Sequence, residues 1–406
     1  MSWVIDRLGR RGDGVTHDAE GRQLLAARVL PGEVIDGAAE DDRISAPHIL
    51  TPAPERVKPA CPHYAACGGC ALMHGSDRFV ADWKADMVRT ALAAHGIEAD
   101  IAGIATSPEA SRRRAVLSAR RTKRGVTLGF YARASDTITD LTSCRVLRPR
   151  IVAALPILRD MVAAGASRGA ELSLTVIDSA EGLDVAVTGG KTMAPELSAR
   201  LSTLMEAGDL ARLSWGEDLL LRRPPAQIMG RARVVPPPGA FLQATAEGEA
   251  ALLSVIRKNL EGAKRILDLY AGCGTFSLPL AAGADLHAVE GLASPLQALD
   301  AAWRATPGLH QISTETRDLA ARPLLADELN RFDGAVIDPP RTGAPAQAAE
   351  LAGSAIPRIA WISCYPVSFA RDARQMIDGG YRLGRIYVVD QFRWSPHVET
   401  AASFTR

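Results

Sequence analysis

From residue 240 onward, short apolar runs alternate with helical ones: "RILDLY", "DLHAVE", "GAVIDPP", "RIAWISC" and "LGRIYVVDQF", with a last run near "TAASFT". Such alternation leaves little choice of architecture. Each strand–helix–strand unit crosses over right-handed, so the strands align mostly in parallel and helices cover both faces of the sheet. In a sheet of this kind ligands collect outside the carboxyl ends of the strands, so any residue with chemistry to do is sought there.

The first such edge reads "ILDLYAGCGTFSLPLA": a strand, a turn holding Gly272 and Gly274, then a helix. Glu290 closes the next strand, 22 residues after Asp268. Position 277, where a dinucleotide fingerprint needs its third glycine, is serine. Close backbone approach and a carboxylate for ribose hydroxyls remain, while the pyrophosphate cradle is weakened. A nucleoside without phosphates fits better, which favours S-adenosylmethionine over NAD. In "FDGAVIDPPRTGA", Asp338 ends another apolar strand beside two prolines and faces the same edge.

Cys364 ends "RIAWIS" on that edge. A free cysteine is commonly a small buried hydrophobe, but this one stands beside a nucleoside pocket. A helix starting near Val367 aims its positive end at the sulfur, which favours the thiolate. In "DQFRWSPHVETAASF", His397 and Glu399 sit where the chain enters its final strand, a place for a proton acceptor. A thiol, a carboxylate and a sulfonium methyl donor together suit one reaction, methylation at carbon 5 of uracil. Thiolate addition at carbon 6 activates carbon 5, and a base then removes the carbon-5 proton.

The chain before this region divides in two. Residues 1–55 read as short strands broken at Gly12, Gly14, Gly21 and Gly32, the texture of a small β-barrel. The linker "TPAPERVKPACP" leads into residues 56–238, which contain one amphipathic helix over 76–96 capped by Ser76 and continue as a mixed α+β domain to the boundary at "RVVPPPGAF". Residues 239–406 hold the parallel sheet. With 406 residues, 47% hydrophobic and 23% charged, the chain has enough material for two or three cores. No uncharged apolar stretch of about 18 residues occurs, and "MSWVIDRLGRRGDG" carries charges where a signal peptide is apolar. A cytoplasmic protein without a membrane partner is expected.

The 47 basic residues nearly balance 46 acidic ones, which excludes a bulk nucleic-acid coat. They are not evenly spread. Between Ser111 and Arg150 eleven Lys or Arg face two acids, Asp136 and Asp140, so this stretch is a candidate phosphate-tracking surface. In "CPHYAACGGC", Cys61, Cys67 and Cys70 cluster, and Cys144 stands alone in "TSCRVL". Four thiolates fit a zinc site or a [4Fe–4S] cluster. Three close cysteines with a distant fourth, and glycines beside them, favour the cluster.

Together these motifs resemble the S-adenosylmethionine-dependent RNA uracil-5-methyltransferases, in particular the iron–sulfur type acting on 23S ribosomal RNA. The likeness spans nearly the whole chain. "IDRLGRRGDGV" and "LPGEVI" resemble a TRAM domain, an OB-like RNA-binding barrel; "FLQ", "DLYAGCGTF", "AVEGL", "TRDL" and "IDPPR" resemble the methyl-donor contacts; "SCYP" and "HVET" resemble the nucleophile and base stretches. The resemblance implies a Rossmann-like class I methyltransferase domain, α/β with a mostly parallel seven-stranded sheet, behind an OB-like TRAM barrel and a middle α+β domain. It implies Cys364 as nucleophile and Glu399 as base, and Gln243, Tyr270, Thr275, Glu290, Asp318 and Asp338 as donor contacts. It also implies Cys61, Cys67, Cys70 and Cys144 as cluster ligands. The partner implied is RNA, ribosomal in preference to transfer RNA, with the chain acting as a monomer. Two positions depart from the family pattern, Tyr365 for asparagine and Ala271 for cysteine. Rival readings are a non-catalytic RNA-binding or folding factor and a methyltransferase of tRNA uridine or of cytosine carbon 5.

Overall fold

The computed structural model describes residues 2–406. At the amino end, Ser2–Val4 pairs with Val34–Glu40, and after a break at Ile5 and Asp6 the same segment continues as Arg7–Leu8, which pairs with Gly14–His17. The pairing then runs through Gln23–Ala26, Arg43–Thr51 and back to Val34–Glu40. Because its first and last members are one segment, the sheet closes into a five-stranded Greek-key barrel of OB type. Ile5, Leu24, Val29, Ile35 and Ile44 fill it.

The middle body is a seven-stranded sheet whose order is Ile138–Asp140, Gly125–Tyr131, Arg114–Thr122, Glu171–Ser179, Gly182–Thr188, Leu210–Trp215, Asp218–Leu221. One face buries Leu117, Leu174, Val185 and Trp215 under the helices Leu155–Gly165 and Pro195–Ala207.

The carboxyl-terminal sheet orders its strands Ile312–Thr316, Asp285–Glu290, Arg265–Leu269, Gly334–Ile337, Arg358–Ser363, Glu399–Thr405, Arg382–Asp390, Ile101–Thr106. All run in one direction except Glu399–Thr405, which is antiparallel to both neighbours. Neighbouring strand residues point to opposite cores: Leu267, Ile337 and Trp361 lie on the face covered by the helix Pro366–Asp378, and Ile266, Val336 and Ala360 on the face covered by the helices Ala246–Asn259 and Ala293–Arg304. The order reverses between Arg265–Leu269 and Gly334–Ile337, the switch point where such sheets bind ligands.

The sheet therefore has eight strands, not the seven expected. The eighth, Ile101–Thr106, comes from the expected middle domain and pairs in parallel with Arg382–Asp390. The helix Asp77–Ala93 also leaves that domain. Its Ser76 Oγ accepts a hydrogen bond from Phe79 N at 3.3 Å, as the sequence predicts, but its apolar stripe of Val88 and Leu92 packs on Pro366–Asp378. Both departures have one cause: an exposed strand edge and an apolar helix face each need cover, and periodicity shows the stripe without naming its partner.

Lys84 lies on that stripe, fully buried, and its Nζ donates to Asp390 Oδ1 at 2.5 Å and to the Phe392 carbonyl at 3.1 Å. Burial lowers its pKa and Asp390 raises it back. Removing one member of such a pair strands a buried charge. Lys84→Met is expected to lower unfolding stability by about 3–5 kcal/mol in urea titrations, with much of the loss recovered in Lys84→Met/Asp390→Leu. A loss below about 1 kcal/mol for the single variant would contradict this account.

Candidate active site

The strand Arg265–Leu269 runs straight into the glycine turn, and Tyr270 takes a φ of +63°, a conformation a bulky side chain adopts only under constraint. Its ring lies near Asp372, Asp318 and Glu290, and burial pushes the phenol up to about 12. Glu290 accepts from Gly272 N at 3.1 Å through Oε2 and from Leu292 N at 3.2 Å through Oε1, so the turn itself holds this carboxylate at the pocket edge. Thr275 is half-buried in the same turn. Asp318 is exposed and caps a turn, accepting from Ala320 N at 2.9 Å and Ala321 N at 3.2 Å. Asp268, buried within the strand, accepts from Ser277 Oγ at 2.5 Å; this is a use for the serine that replaces the third glycine. Burial pushes Asp268 up to about 7.

Cys364, Asp338 and Glu399 meet at the next strand ends. Ser363 stands opposite Thr400 in the antiparallel register, which brings the residue after one strand beside the residue that begins the other. Glu399 is 3% exposed, and burial together with the negative charge of Asp338 pushes it up to about 8. Asp338 is raised to about 7 by burial and Asp268, against a hydrogen bond from Gln243 Nε2 at 3.1 Å. The Cys364 thiol is pushed up to about 11, by burial first and then by Glu399 and Asp338, with Arg341 acting the other way. The expected thiolate at the start of Pro366–Asp378 is thus corrected: desolvation and two carboxylates outweigh the helix end. His397 is exposed near Cys364 and stacks edge-on to Phe392 with ring centroids 5.7 Å apart. Tyr365 lies under the Arg341 guanidinium, 5.2 Å from the ring centre. Gln391, which the sequence does not single out, bonds to both Gln243 and Glu399.

A cavity of about 2070 Å³ opens from Cys364 along the barrel, lined among others by Arg7, Arg10, Arg11, Arg43, Arg112, Arg133 and Arg341. The expected phosphate-tracking run is mostly engaged elsewhere. Arg113 pairs with buried Glu249, Arg114 donates to the Ala240 carbonyl at 3.0 Å, Arg120 pairs with Glu171, and Arg148 and Arg150 pair with Asp178. Arg113 and Arg114 brace the middle body against the methyltransferase domain while Arg120, Arg148 and Arg150 pair within the middle body, and linear charge density does not reveal this. The barrel supplies four exposed cations to the cavity, Arg7, Arg10, Arg11 and Arg43, and Arg78, Arg145 and Arg341 add others from the remaining bodies.

Cys61, Cys67, Cys70 and Cys144 line the same cavity as free thiols. Their loop is anchored on all three bodies: Gly68 N donates to the Tyr131 carbonyl, Leu72 N to the Trp394 carbonyl, each at 2.9 Å, and the Tyr64–His74 pair reaches the Val29 carbonyl of the barrel. Burial pushes Cys70 up to about 12, and the other three thiols add to the shift. Among the described residues no three His, Cys, Asp or Glu side chains stand close enough together to grip one metal ion.

The chain's curated relatives are RNA methyltransferases along their whole length. A Caulobacter vibrioides protein named only as an RNA methyltransferase is 42% identical over 99% of this chain and 99% of its own. The 23S rRNA (uracil(1939)-C(5))-methyltransferase of Chromohalobacter salexigens is 32% identical over 99% of this chain and 88% of its own. The profile of the tRNA (Uracil-5-)-methyltransferase family matches residues 314–406. The chain belongs to the RNA uracil-5-methyltransferase family. Its fold is that of the tRNA (uracil-54, C5)-methyltransferase of Pyrococcus abyssi, with a TM-score of 0.76 at 20% identity, covering 100% of this chain and 99% of that one.

If the barrel arginines of this methyltransferase contact phosphates, Arg10→Glu/Arg11→Glu should weaken RNA binding and reduce the salt slope by roughly 1 to 2, while S-adenosylhomocysteine affinity stays unchanged. An unaltered slope in filter-binding titrations across salt would remove the barrel from the RNA path.

Proposed function

We propose that this chain transfers the methyl group of S-adenosylmethionine to carbon 5 of a uridine in 23S ribosomal RNA, through a covalent adduct between Cys364 and carbon 6. The observation that carries the reading is the meeting of Cys364, Asp338 and Glu399 at the switch-point edge, at the end of a cavity lined with arginines. Ribosomal RNA is favoured because the Chromohalobacter salexigens enzyme is 32% identical over 99% of this chain, against 20% for the tRNA (uracil-54, C5)-methyltransferase of Pyrococcus abyssi. The chain would act in the cytoplasm as a monomer. Among the described residues no helix is long and apolar enough to cross a membrane.

The donor supplies an electrophilic methyl on a sulfonium. Glu290 would take its ribose hydroxyls, with Tyr270, Thr275 and Asp318 around it, and Gln243 and Asp338 would lie toward the sulfonium. The target base must leave its stack to reach Cys364. The Cys364 proton passes to Asp338, which titrates near neutrality, and Glu399 stays free for the later step. The S–C6 bond forms as the 5,6 double bond opens, and carbon 5 gains the electron density to take the methyl group. Glu399 then removes the carbon-5 proton, the double bond re-forms and the C6–S bond breaks, returning the sulfur as thiolate.

Cys364→Ala should abolish methylation and every covalent complex. Glu399→Gln should still add and methylate, then hold RNA on the enzyme. Denaturing gels with 5-fluorouridine RNA and with unmodified RNA separate these outcomes: a shifted band surviving in Cys364→Ala removes this cysteine from the mechanism. Tritium release from carbon-5-labelled cytidine RNA instead of uridine RNA would replace the substrate base.

We also propose that Cys61, Cys67, Cys70 and Cys144 hold a [4Fe–4S] cluster. The four thiols line one cavity and stand near enough to raise one another's pKa values, and their spacing in sequence, three together and one distant, suits a cluster. Anaerobically purified protein is expected to be brown with about four irons per chain, and stoichiometric zinc without iron would refute the assignment.

A further inference from the structure

Gln391 follows the strand Arg382–Asp390 and is 2% exposed. Its side-chain amide is held in one sense. Oε1 accepts from Thr245 N at 3.4 Å, and Nε2 donates to Gln243 Oε1 at 2.6 Å and to Glu399 Oε2. Gln243 passes the chain on, donating through Nε2 to Asp338 Oδ2 at 3.1 Å. If the Gln391 amide flipped, its carbonyl would face a carboxylate and a second carbonyl, so donors and acceptors match only as observed. The helix Ala246–Asn259 leaves room for this arrangement. A Cβ added at Gly248 would come 2.7 Å from the Gln391 Cβ and 3.0 Å from its Oε1.

We propose that Gln391 is the positioning residue of the base: its amide aims the Glu399 carboxylate toward Cys364 as a proton acceptor and, through Gln243, ties it to the wall that carries Asp338. The proposal rests on the reading of Glu399 as the group that removes the carbon-5 proton.

A carboxylate this buried tends to keep its proton. Around Glu399, burial and the charge of Asp338 favour the protonated form, and the hydrogen bond from Gln391 is the interaction that opposes them. Asp338, from the end of Gly334–Ile337, and Cys364, from the end of Arg358–Ser363, are the titratable groups that bear on it, with Arg341 beside Cys364. The charges on the packed elements beyond, Lys84 with Asp390 and Arg113 with Glu249, are paired within themselves. On Gln391's other side, Thr245 and Gly248 are neutral. Removing the amide N–H therefore raises the Glu399 pKa. The base then ionises only at higher pH, and the rising limb of the rate profile moves up.

Gln391→Met keeps the volume and removes the donors. The expected result is a kcat lowered about tenfold or more at pH 7, a limb displaced upward by about one pH unit, and recovery of most activity at the higher pH. KM for the donor and the rate of adduct formation with 5-fluorouridine RNA should stay within about twofold. Gly248→Ala, which crowds Gln391 without deleting it, should shift the limb in the same direction by less, with an unfolding midpoint recorded for both variants. Infrared difference titration of the free enzyme, with the Glu399 band assigned from Glu399→Gln, reads the same group without turnover. A Glu399 titration that does not move in Gln391→Met, or a limb that moves downward, overturns the proposal. A titration that moves upward in a protein whose wild type releases no tritium from uridine RNA upholds the positioning role and refutes the uracil-5 reading instead.

Discussion

The arrangement of the site depends on one reversed strand. In a parallel sheet the start of one strand lies at the opposite edge from the end of its neighbour, so a residue closing one strand and a residue opening the next never meet. Glu399–Thr405 runs against both flanking strands, and its first residue therefore arrives at the edge where Arg358–Ser363 and Arg382–Asp390 end. Cys364, Glu399 and Gln391 share one edge for that reason alone. The Lys84–Asp390 pair fixes the last residue of the third strand from beneath, and the turn that follows is held at Leu72, Asp77 and Ser107.

A few of the charges in this protein are paired deep inside, as in Lys84–Asp390, Arg113–Glu249 and Arg212–Asp184. Arginines of the 111–150 run pair with Glu171 and Asp178 inside the middle body and with Glu249 across to the next, and burial, together with mutual repulsion, pushes the carboxylates at the strand ends into a range near neutrality. A group of acids that share so little solvent responds as a unit, so the proton count of the edge depends on what occupies it. A cationic ligand placed among them favours their ionised forms, and a bare edge favours the protonated ones.

Much of this was legible beforehand. The strand–helix alternation, the glycine turn and the placement of Asp338, Glu290 and Cys364 at one edge follow from period and from topology, both of which are local. The eighth strand was not, because "IAGIAT" carries no mark of a partner almost three hundred residues away. Lys84 did leave a sign: it stands four residues from both Val80 and Val88, so a charge had to lie on the buried stripe. Gln391 left none, since an amide's role is set by which acceptors surround it. The basic run misled because adjacent charges look alike whether they meet phosphate or carboxylate.

The strand Ile101–Thr106 has a further consequence, for how the chain comes to be folded on the ribosome. Asp100 and Arg385 form an ion pair across 285 residues of sequence. At about 5 to 20 residues per second, synthesis of the intervening chain takes roughly a quarter of a minute to a minute. During that interval the barrel and the middle sheet can close, but the strand and the apolar face of Asp77–Ala93 have nothing to dock on. The nascent protein thus carries an unpaired strand and an uncovered helix until its last fifty residues emerge.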